Sequence, residues 1–342
     1  MDAQFEEQYI VDGWRLIVLA NTLRGLSGKT EKFALPDDFF AATTEIPMVH
    51  ETLDENGNLT RADIQGYKKL RNRMFYSNDY LTKVYLPEGL TSIGDYAFGS
   101  DSKLVSISLP SSLTSIGSDA FGYCTSLALT SLPEGLTSIG SNAFYRCTNL
   151  ALTSLPEGVT SIGIQAFGYC TSLALTSLPE GVTSIGIQAF YNCTSLALTS
   201  LPEGVTSIGG NSFSGCTSLA LTSLPEGLTS IGSNTFYNCT SLALTSLPEG
   251  VTVIDYQAFY NCTSLALTSL PEGVTSIGAN TFYNCTSLKE ITFKGTPKTI
   301  NRNAFLKCSN LKTINVPWAE GAVRGAPWGA TNATIHYNYT GD

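Results

Sequence analysis

The chain has 342 residues, of which 14% are charged, and its formal net charge is −9. A surface that follows nucleic-acid phosphates needs clustered Lys and Arg, so this charge balance argues against nucleic acid as a partner. No run of about 18 apolar residues occurs, so the sequence predicts no membrane-spanning helix.

The first 80 residues are not repetitive, and we predict that 1–80 forms an N-terminal helical and hairpin cap region. Apolar side chains recur at helical spacing over 3–25, which predicts a helix there. An Asn-Gly pair at 56–57 between alternating segments predicts a hairpin. The acidic loop around this pair lacks the glycine spacing of an EF-hand, so we predict no calcium site in it. The basic stretch 67–75 predicts a short, solvated helix.

A 23-residue repeat follows, and nine cysteines mark its period at 124, 147, 170, 193, 216, 239, 262, 285 and 308. Self-similarity at a fixed period of this size is the signature of a solenoid, whose units stack because none can bury its own apolar face. We therefore predict a solenoid domain over 81–314 with about ten coils.

One copy of the repeat shows how each coil should be built. The segment 127–132 is rich in Leu and predicts the strand of the coil. Residues 133–135 (Pro-Glu-Gly) predict a turn in which Gly135 takes a positive φ. Leu136 and Ile139 should return the chain to the core. The Ala-Phe-x-x-Cys segment is only about one turn long, which predicts a short turn or 3₁₀ helix on the outer face.

The strand segment differs between the end coils and the middle coils, and two interpretations follow. Seven middle copies place Leu one residue earlier than the Ile of the end copies, with Thr in the place of that Ile. If the register is kept, these leucines form an exposed apolar stripe, which would be a binding surface. If the strand shifts by one residue, they turn inward and the threonines turn outward, which we favour because it satisfies the burial preferences. The leucines are Leu129, Leu152, Leu175, Leu198, Leu221, Leu244 and Leu267.

The cysteine row predicts stacked, buried, free thiols. Nine is an odd number, so the cysteines cannot all pair within one chain. Parallel inward-pointing side chains do not present the dihedral angle of a disulfide, and no Cys-x2-Cys pair offers metal-ligand spacing. We expect no metal and no cofactor.

The chain should end in a C-terminal β cap over 315–342. Two tryptophans, Trp318 and Trp328, lie in its loops, and residues 333–339 alternate like a strand. The aromatic side chains favour covering the last coil, and a sugar-stacking site is the alternative.

The repeat C-x-x-L-x-x-[IT]-x-L-P-x-x-[LV]-x-x-I-G-x-x-[AT]-F resembles the BspA-like leucine-rich repeat family, also called the Treponema pallidum type. The resemblance implies an α/β solenoid, right-handed and curved, with a parallel sheet on its concave side. It also implies a bacterial surface protein that adheres to host matrix proteins or to other cells. No signal peptide, cell-wall sorting motif or membrane anchor is visible in the chain.

We therefore predict a non-enzymatic binding or adhesion module with a protein or glycan ligand on a host or neighbouring cell. The expected location is extracellular or at the cell surface. The alternative is a structural or receptor-binding component of a phage-tail-like or other extracellular assembly. No catalytic residue is predicted, because the chain has only two histidines, His50 and His336, and no phosphate-binding Gly-rich loop.

Two rows of residues are candidate ligand-binding sites. Tyrosine recurs just after the repeated Phe, where the copies vary, and such a row suits recognition, although drift at exposed positions would also produce it. Glutamate occupies one turn position in seven consecutive coils, where the row could bind cations or a basic ligand, or simply solvate the turn. The tyrosines are Tyr145, Tyr169, Tyr191, Tyr237, Tyr260 and Tyr283. The glutamates are Glu134, Glu157, Glu180, Glu203, Glu226, Glu249 and Glu272.

Overall fold

The computed structural model describes residues 48–56 and 59–341, and the helix predicted over 3–25 lies outside them. Within those ranges the chain contains short strands and turns but no helix. The strands are β1 (Met48–Leu53), β2 (Leu59–Gln65), β3 (Lys83–Tyr85), β4 (Ser92–Ile93), β5 (Ser106–Ser108), β6 (Ser115–Ile116), β7 (Ser138–Ile139), β8 (Ser161–Ile162), β9 (Ser184–Ile185), β10 (Ser207–Ile208), β11 (Ser230–Ile231), β12 (Val253–Ile254), β13 (Ser269–Leu270), β14 (Ser276–Ile277), β15 (Glu290–Phe293), β16 (Thr299–Ile300), β17 (Thr313–Asn315) and β18 (Thr334–His336).

The strands wind into a parallel solenoid of about 12 turns rather than ten, because residues on both sides of the repeat also stack. On the N-terminal side, the Phe75 ring stacks on Phe98 with centroids 5.3 Å apart. On the C-terminal side, the Phe305 N–H donates to the Trp328 carbonyl at 2.9 Å. The helix predicted over 67–75 is therefore wrong, since these residues form turns of an added coil. The division into caps and repeat domain stays a prediction.

The first two strands form the predicted hairpin. β1 and β2 pair in an antiparallel register around the acidic loop. β2 then pairs with β3 in a parallel register, so the hairpin continues directly into the solenoid sheet.

Parallel sheets lie on two faces of the coils. On the Ser-Ile face the strands form three sheets, β4-β6-β7, β8-β9-β10 and β11-β12-β14-β16. Within each sheet the Ile of one coil lies opposite the Ile of the next, as Ile93, Ile116 and Ile139 do. The Leu-Pro face has strands only near its two ends, in the sheets β1-β2-β3-β5 and β13-β15-β17-β18. The prediction of a parallel sheet is confirmed, but the strand predicted over 127–132 is wrong, because that segment is irregular in the middle coils.

The predicted one-residue shift of the middle strand segments is confirmed. Leu175 is completely buried while the following Thr176 is exposed, and the same holds from coil to coil. Leu129, in the first shifted coil, is only half-buried. A one-residue slip moves every side chain to the other face, and it also changes which backbone groups of neighbouring coils can pair. In this segment the middle coils retain a backbone hydrogen bond to the neighbouring coil, such as that from the Ala197 N–H to the Leu175 carbonyl at 3.1 Å.

The Pro-Glu-Gly turn is present, but its glycine does not take the predicted conformation. The Leu136 N–H donates to the Pro133 carbonyl at 3.0 Å, which closes the turn. Among the glycines at this position only Gly89 has a positive φ, of 88°. A type I turn needs no positive φ at its central residues. Several of the later glycines avoid crowding instead: a Cβ on Gly158 would lie 3.1 Å from the Thr137 side chain.

The outer turn is not helical, because two of its residues have positive φ in nearly every coil. In one coil these are Asn142 (φ 56°) and Arg146 (φ 61°). Both donate their N–H to the next coil, as Phe144 does, at 2.7–2.9 Å, while the N–H groups between them bond within the coil. A left-handed residue every four positions therefore turns the hydrogen bonds toward the neighbouring coil, so no helix propagates.

The core is a set of identical side chains stacked along the axis. Eleven phenylalanines from Phe75 to Phe305 stack with centroids 5.1–5.7 Å apart and planes within 11° of parallel. Nine free, buried cysteines form a second row, which confirms the prediction. Each thiol donates to a Phe carbonyl of the preceding coil at 2.9–3.1 Å. Burial raises the pKa of these thiols, so they are not nucleophiles at neutral pH.

The C-terminal aromatic residues close the end of this core. Trp318 and Trp328 are buried and pack on Phe293, with centroids 5.3 and 6.0 Å away. Their rings face the protein interior, so they cover the last coil as favoured and are not available to stack on a sugar.

A buried carboxyl group replaces the thiol at the N-terminal end of the cysteine row. Asp101 lies 23 residues before Cys124 and is completely buried. Its Oδ1 accepts the Asn78 N–H at 2.6 Å, whereas Oδ2 has no hydrogen-bond partner. Desolvation raises the pKa of Asp101 to about 8, with a smaller contribution from Asp79. The group is therefore mostly neutral at pH 7.

The strand shift makes opposite predictions for two adjacent residues. Leu198→Ala should lower the free energy of unfolding by about 2–5 kcal/mol, because it leaves a cavity in the core. Thr199→Ala should change it by less than about 0.5 kcal/mol, because the side chain is solvated. Urea unfolding of both variants measures the difference, and equal effects would contradict the buried position of Leu198.

Asp101 makes stability depend on pH. Its native pKa lies above its unfolded value, so the native state holds a proton that the unfolded state releases. Stability from this group is thus complete below about pH 4 and falls by up to about 1.4 kcal/mol per pH unit until about pH 8.

Asp101→Asn should therefore raise the melting temperature at pH 8 and change it much less at pH 4. Glu134→Gln, which neutralises an exposed carboxylate in a neighbouring coil, is the control and should leave the pH profile unchanged. Thermal unfolding across this range measures both, and an equal shift at the two pH values would rule out titration of Asp101.

Candidate ligand-binding surface

The candidate tyrosines lie in the outer turn, at two neighbouring positions of the repeat. Tyr145 follows Phe144 directly, whereas Tyr169 comes two residues after its Phe and is preceded by Gly168. A Cβ on Gly168 would lie 3.0 Å from the Tyr145 ring, so the glycine leaves room for the ring of the preceding coil. Because Gly168 leaves this room, a coil can carry its tyrosine at either of the two positions and still add its ring to the same row.

The first group, which we call the N-terminal tyrosine cluster, surrounds an arginine. It consists of Tyr123, Tyr145, Tyr169 and Tyr191, with successive centroids 5.1–5.6 Å apart and mostly edge-on rings. The Arg146 guanidinium carbon lies 4.7 Å from the Tyr169 centroid, 5.6 Å from that of Tyr145 and 5.7 Å from that of Tyr123. These are cation–π distances, so the cluster holds an exposed cation among aromatic rings.

The second group, the C-terminal tyrosine ladder, is a parallel stack. Tyr237, Tyr260 and Tyr283 have centroids 4.7 and 4.4 Å apart, and Lys307 Nζ lies 5.1 Å from the Tyr283 centroid. The amide groups of Asn238, Asn261 and Asn284 run beside it, each bonded to the next at 3.0 and 2.6 Å. Because the rings face one another, the ladder presents their edges and hydroxyls to solvent.

One coil without tyrosine separates the two groups. It carries Ser214 and Gly215 at the two positions, between Tyr191 and Tyr237. The Asn192 side chain lies where a Cβ on Gly215 would be, so a side chain of the preceding coil occupies the space beside Gly215. The structure thus brings the six predicted tyrosines into two groups, and Tyr123 joins the first.

Sequence reasoning missed the cations and the amides beside these rings. The second left-handed position of the outer turn explains why. Its commonest occupant is Asn, at Asn192, Asn238, Asn261 and Asn284. Tyr and Arg are rare at positive φ, and each costs on the order of 1 kcal/mol there. A Tyr, Arg or Lys in this row is therefore the signal that could have marked the site from sequence.

The candidate glutamates lie on a different turn of each coil, the Pro-Glu-Gly turn, and all seven are exposed. One of them, Glu249, accepts a hydrogen bond from Lys294 Nζ at 2.6 Å. Over 48–56 and 59–341, no group of three or more His, Cys, Asp or Glu residues could hold a metal ion. A ligand role for the glutamate row stays a prediction.

The two histidines, His50 and His336, lie at opposite ends of the described chain. His50 lies in β1 and His336 in β18, the first and last strands of the solenoid. The nine thiols are buried in the core between them. A search of the described residues finds no helix with the length and hydropathy to span a bilayer.

The sequence was compared with known families and proteins. A model of the BspA type leucine rich repeat region, six copies long, matches residues 68–197, 137–266 and 185–312. These overlapping matches extend over most of the chain. No curated protein matches it.

Several solved structures are similar to the chain. The pneumococcal vaccine antigen PcpA is 21% identical, with a TM-score of 0.54, over 84% of this chain and 82% of that one. A leucine rich cell surface protein of Faecalibacterium prausnitzii is 25% identical over 80% and 96%, with a TM-score of 0.46. A leucine-rich repeat protein of Bacteroides ovatus is 23% identical over 85% and 98%, with a TM-score of 0.44. The similarity to PcpA supports the leucine-rich repeat fold.

The neighbouring tyrosines Tyr260 and Tyr283 of the C-terminal tyrosine ladder should titrate differently. Lys307 lowers the pKa of Tyr283, whereas desolvation, followed by the neighbouring Tyr283, raises the pKa of Tyr260. Lys307→Asn should therefore raise the pKa of Tyr283, because the tyrosinate loses its cation. Tyrosinate absorbance at 295 nm during a pH titration, compared with a Tyr283→Phe variant, measures the change. An unchanged titration would show that Lys307 does not contact this ring.

Proposed function

This chain belongs to the BspA type leucine rich repeat family, and on that premise we propose that it is a non-enzymatic binding protein with an adhesive role. Its ligand is a protein or glycan of a host or neighbouring cell, and it acts outside the cell or at the cell surface. The binding surface comprises the N-terminal tyrosine cluster and the C-terminal tyrosine ladder.

The observation that carries this proposal is the placement of costly residues on an otherwise repetitive scaffold. Tyr123, Arg146 and Tyr169 occupy the left-handed position where most other coils have Asn, Ser or Gly. Their side chains contact one another on the outer turn instead of entering the core. Tyr and Arg are the side chains most enriched at the energetic centres of protein interfaces, so a recognition role accounts for their placement.

The core supports a binding role rather than catalysis. Thiols that burial keeps protonated cannot act as nucleophiles, and each histidine lies at an end of the solenoid. Leucine-rich repeat solenoids present extended surfaces that suit large or repetitive ligands.

The proposal predicts that loss of the tyrosines weakens binding without unfolding the chain. The triple variant Tyr237→Ser, Tyr260→Ser and Tyr283→Ser introduces the residue that Ser214 already places at the same position. Binding to an array of matrix proteins and glycans should fall at least tenfold, because the loss of hot-spot side chains costs about 2 kcal/mol or more.

Tyr256→Ser is the matched control, because Tyr256 is an exposed tyrosine outside both groups. It should bind as the parent chain does, and the melting curve of each variant reports folding. Binding that survives the triple variant, or that the control reduces equally, would contradict the proposed surface. If the parent chain binds nothing on the array, the adhesive function itself fails.

A further inference from the structure

A polar cleft lies at the C-terminal end of the tyrosine ladder, beside Lys307. It has a volume of about 310 Å³ and is lined by Asn284, Lys307, Cys308, Ser309, Gly329, Thr331 and Asn332. This volume is at the lower end of the range for small-molecule sites, which suits a ligand the size of one sugar ring. Part of the cleft is contributed by the segment that contains Trp328, whose buried ring fixes Gly329 against Leu306.

Lys307 brings a positive charge that no carboxylate of the described residues neutralises. Lysine and arginine form ion pairs elsewhere among the described residues, as in Lys294–Glu249 and Arg61–Asp63, but Lys307 forms none with a described carboxylate. The groups that raise the pKa of Lys307 are instead the hydroxyls of Tyr283 and Tyr260. In a chain with a net charge of −9, an exposed cation without an acidic partner at the edge of a cleft favours an anionic ligand.

The other lining side chains have unused hydrogen-bonding capacity. Asn284 Nδ2 donates to Asn261 Oδ1 at 2.6 Å, which leaves the Asn284 carbonyl oxygen as an acceptor. Ser309, Thr331 and Asn332 are exposed, and their side chains make no hydrogen bond with the rest of the described chain. Hydroxyl and amide groups that can both donate and accept complement the hydroxyls of a sugar.

We propose that this cleft binds a carboxylate-bearing sugar, with the carboxylate on Lys307 Nζ and the sugar hydroxyls on Asn284, Ser309 and Thr331. The inference rests on the proposed binding function and specifies its ligand class. A peptide is the poorer fit, because peptide hot spots need an apolar pocket and this lining is mostly polar. The adjacent ladder would contact the following sugar residues through its tyrosine hydroxyls and asparagine amides.

Two lysine variants test the charge. Lys307→Asn introduces the residue that Asn238, Asn261 and Asn284 already place there, so the left-handed backbone is retained without strain. Lys103→Asn removes the charge of an exposed lysine outside both tyrosine groups and outside the cleft, and it is the control. The probes are trigalacturonic acid, its methyl ester, and a sialylated trisaccharide with its desialylated form, each titrated by calorimetry at two salt concentrations.

The parent chain should bind an acidic probe and bind its neutral counterpart at least tenfold more weakly, because a hydrogen bond to a charged group contributes about 1.5–3 kcal/mol. Lys307→Asn should lose this preference, and Lys103→Asn should keep it. Preference for trigalacturonate would indicate internal uronic acids, and preference for the sialylated probe would indicate a terminal acid.

Equal binding of acidic and neutral probes, or equal loss in the two variants, would overturn the assignment. No binding of any of these probes would overturn it as well. The binding function would still stand if the parent chain retained another ligand on the array that the triple tyrosine variant lost. Failure of the inference is thereby distinguished from failure of the proposed function.

Discussion

The stacking of each coil on a copy of itself is the constraint on which the rest of the structure depends. A parallel register places every side chain directly over the one 23 residues earlier, as Ile93, Ile116 and Ile139 show. A core position can then hold only a side chain that packs well against itself. Phe meets this condition because its rings lie nearly parallel at 5.1–5.7 Å. Cys meets it because it is small and its thiol reaches a carbonyl of the preceding coil.

The same constraint explains which parts of the fold could be predicted from sequence. Repeated apolar residues such as Leu136 and Ile139 identify the core, because apolar residues that recur at the period of the repeat stack on one another in the interior. The Leu175-Thr176 order identifies the strand shift, because burial preferences separate the two faces. Sequence alone did not show that the shift would remove regular strands from the Leu-Pro face. Backbone pairing depends on the register of two neighbouring coils, and the residues of one coil do not determine it.

The candidate site was predictable to a lesser degree. Recurrent tyrosines suggested a contact surface, yet nothing in their spacing indicated that Gly168 makes room for the Tyr145 ring. Arg146 and Lys307 looked like ordinary variation because a left-handed backbone leaves no periodic hydrophobic signal. The glutamate row was visible only as a repeated turn residue. Its place in the Pro-Glu-Gly turn, separate from the outer turn that carries the tyrosines, was already evident from the sequence.

Departures from the preferred residue are therefore the most informative part of this repeat. At the left-handed position of the outer turn, Gly and then Asn adopt the backbone conformation at the lowest cost, and several coils use Asn. Tyr123, Arg146, Tyr169 and Lys307 occupy the same position without that advantage, and each places a ring or a cation against an aromatic neighbour. The core positions hold nearly the same side chain in every coil, because these side chains pack against one another. The residue can vary at the left-handed position, where the backbone conformation rather than core packing sets the residue preference. Binding chemistry gathers at this turn because a substitution there alters the surface and leaves the stacked core intact.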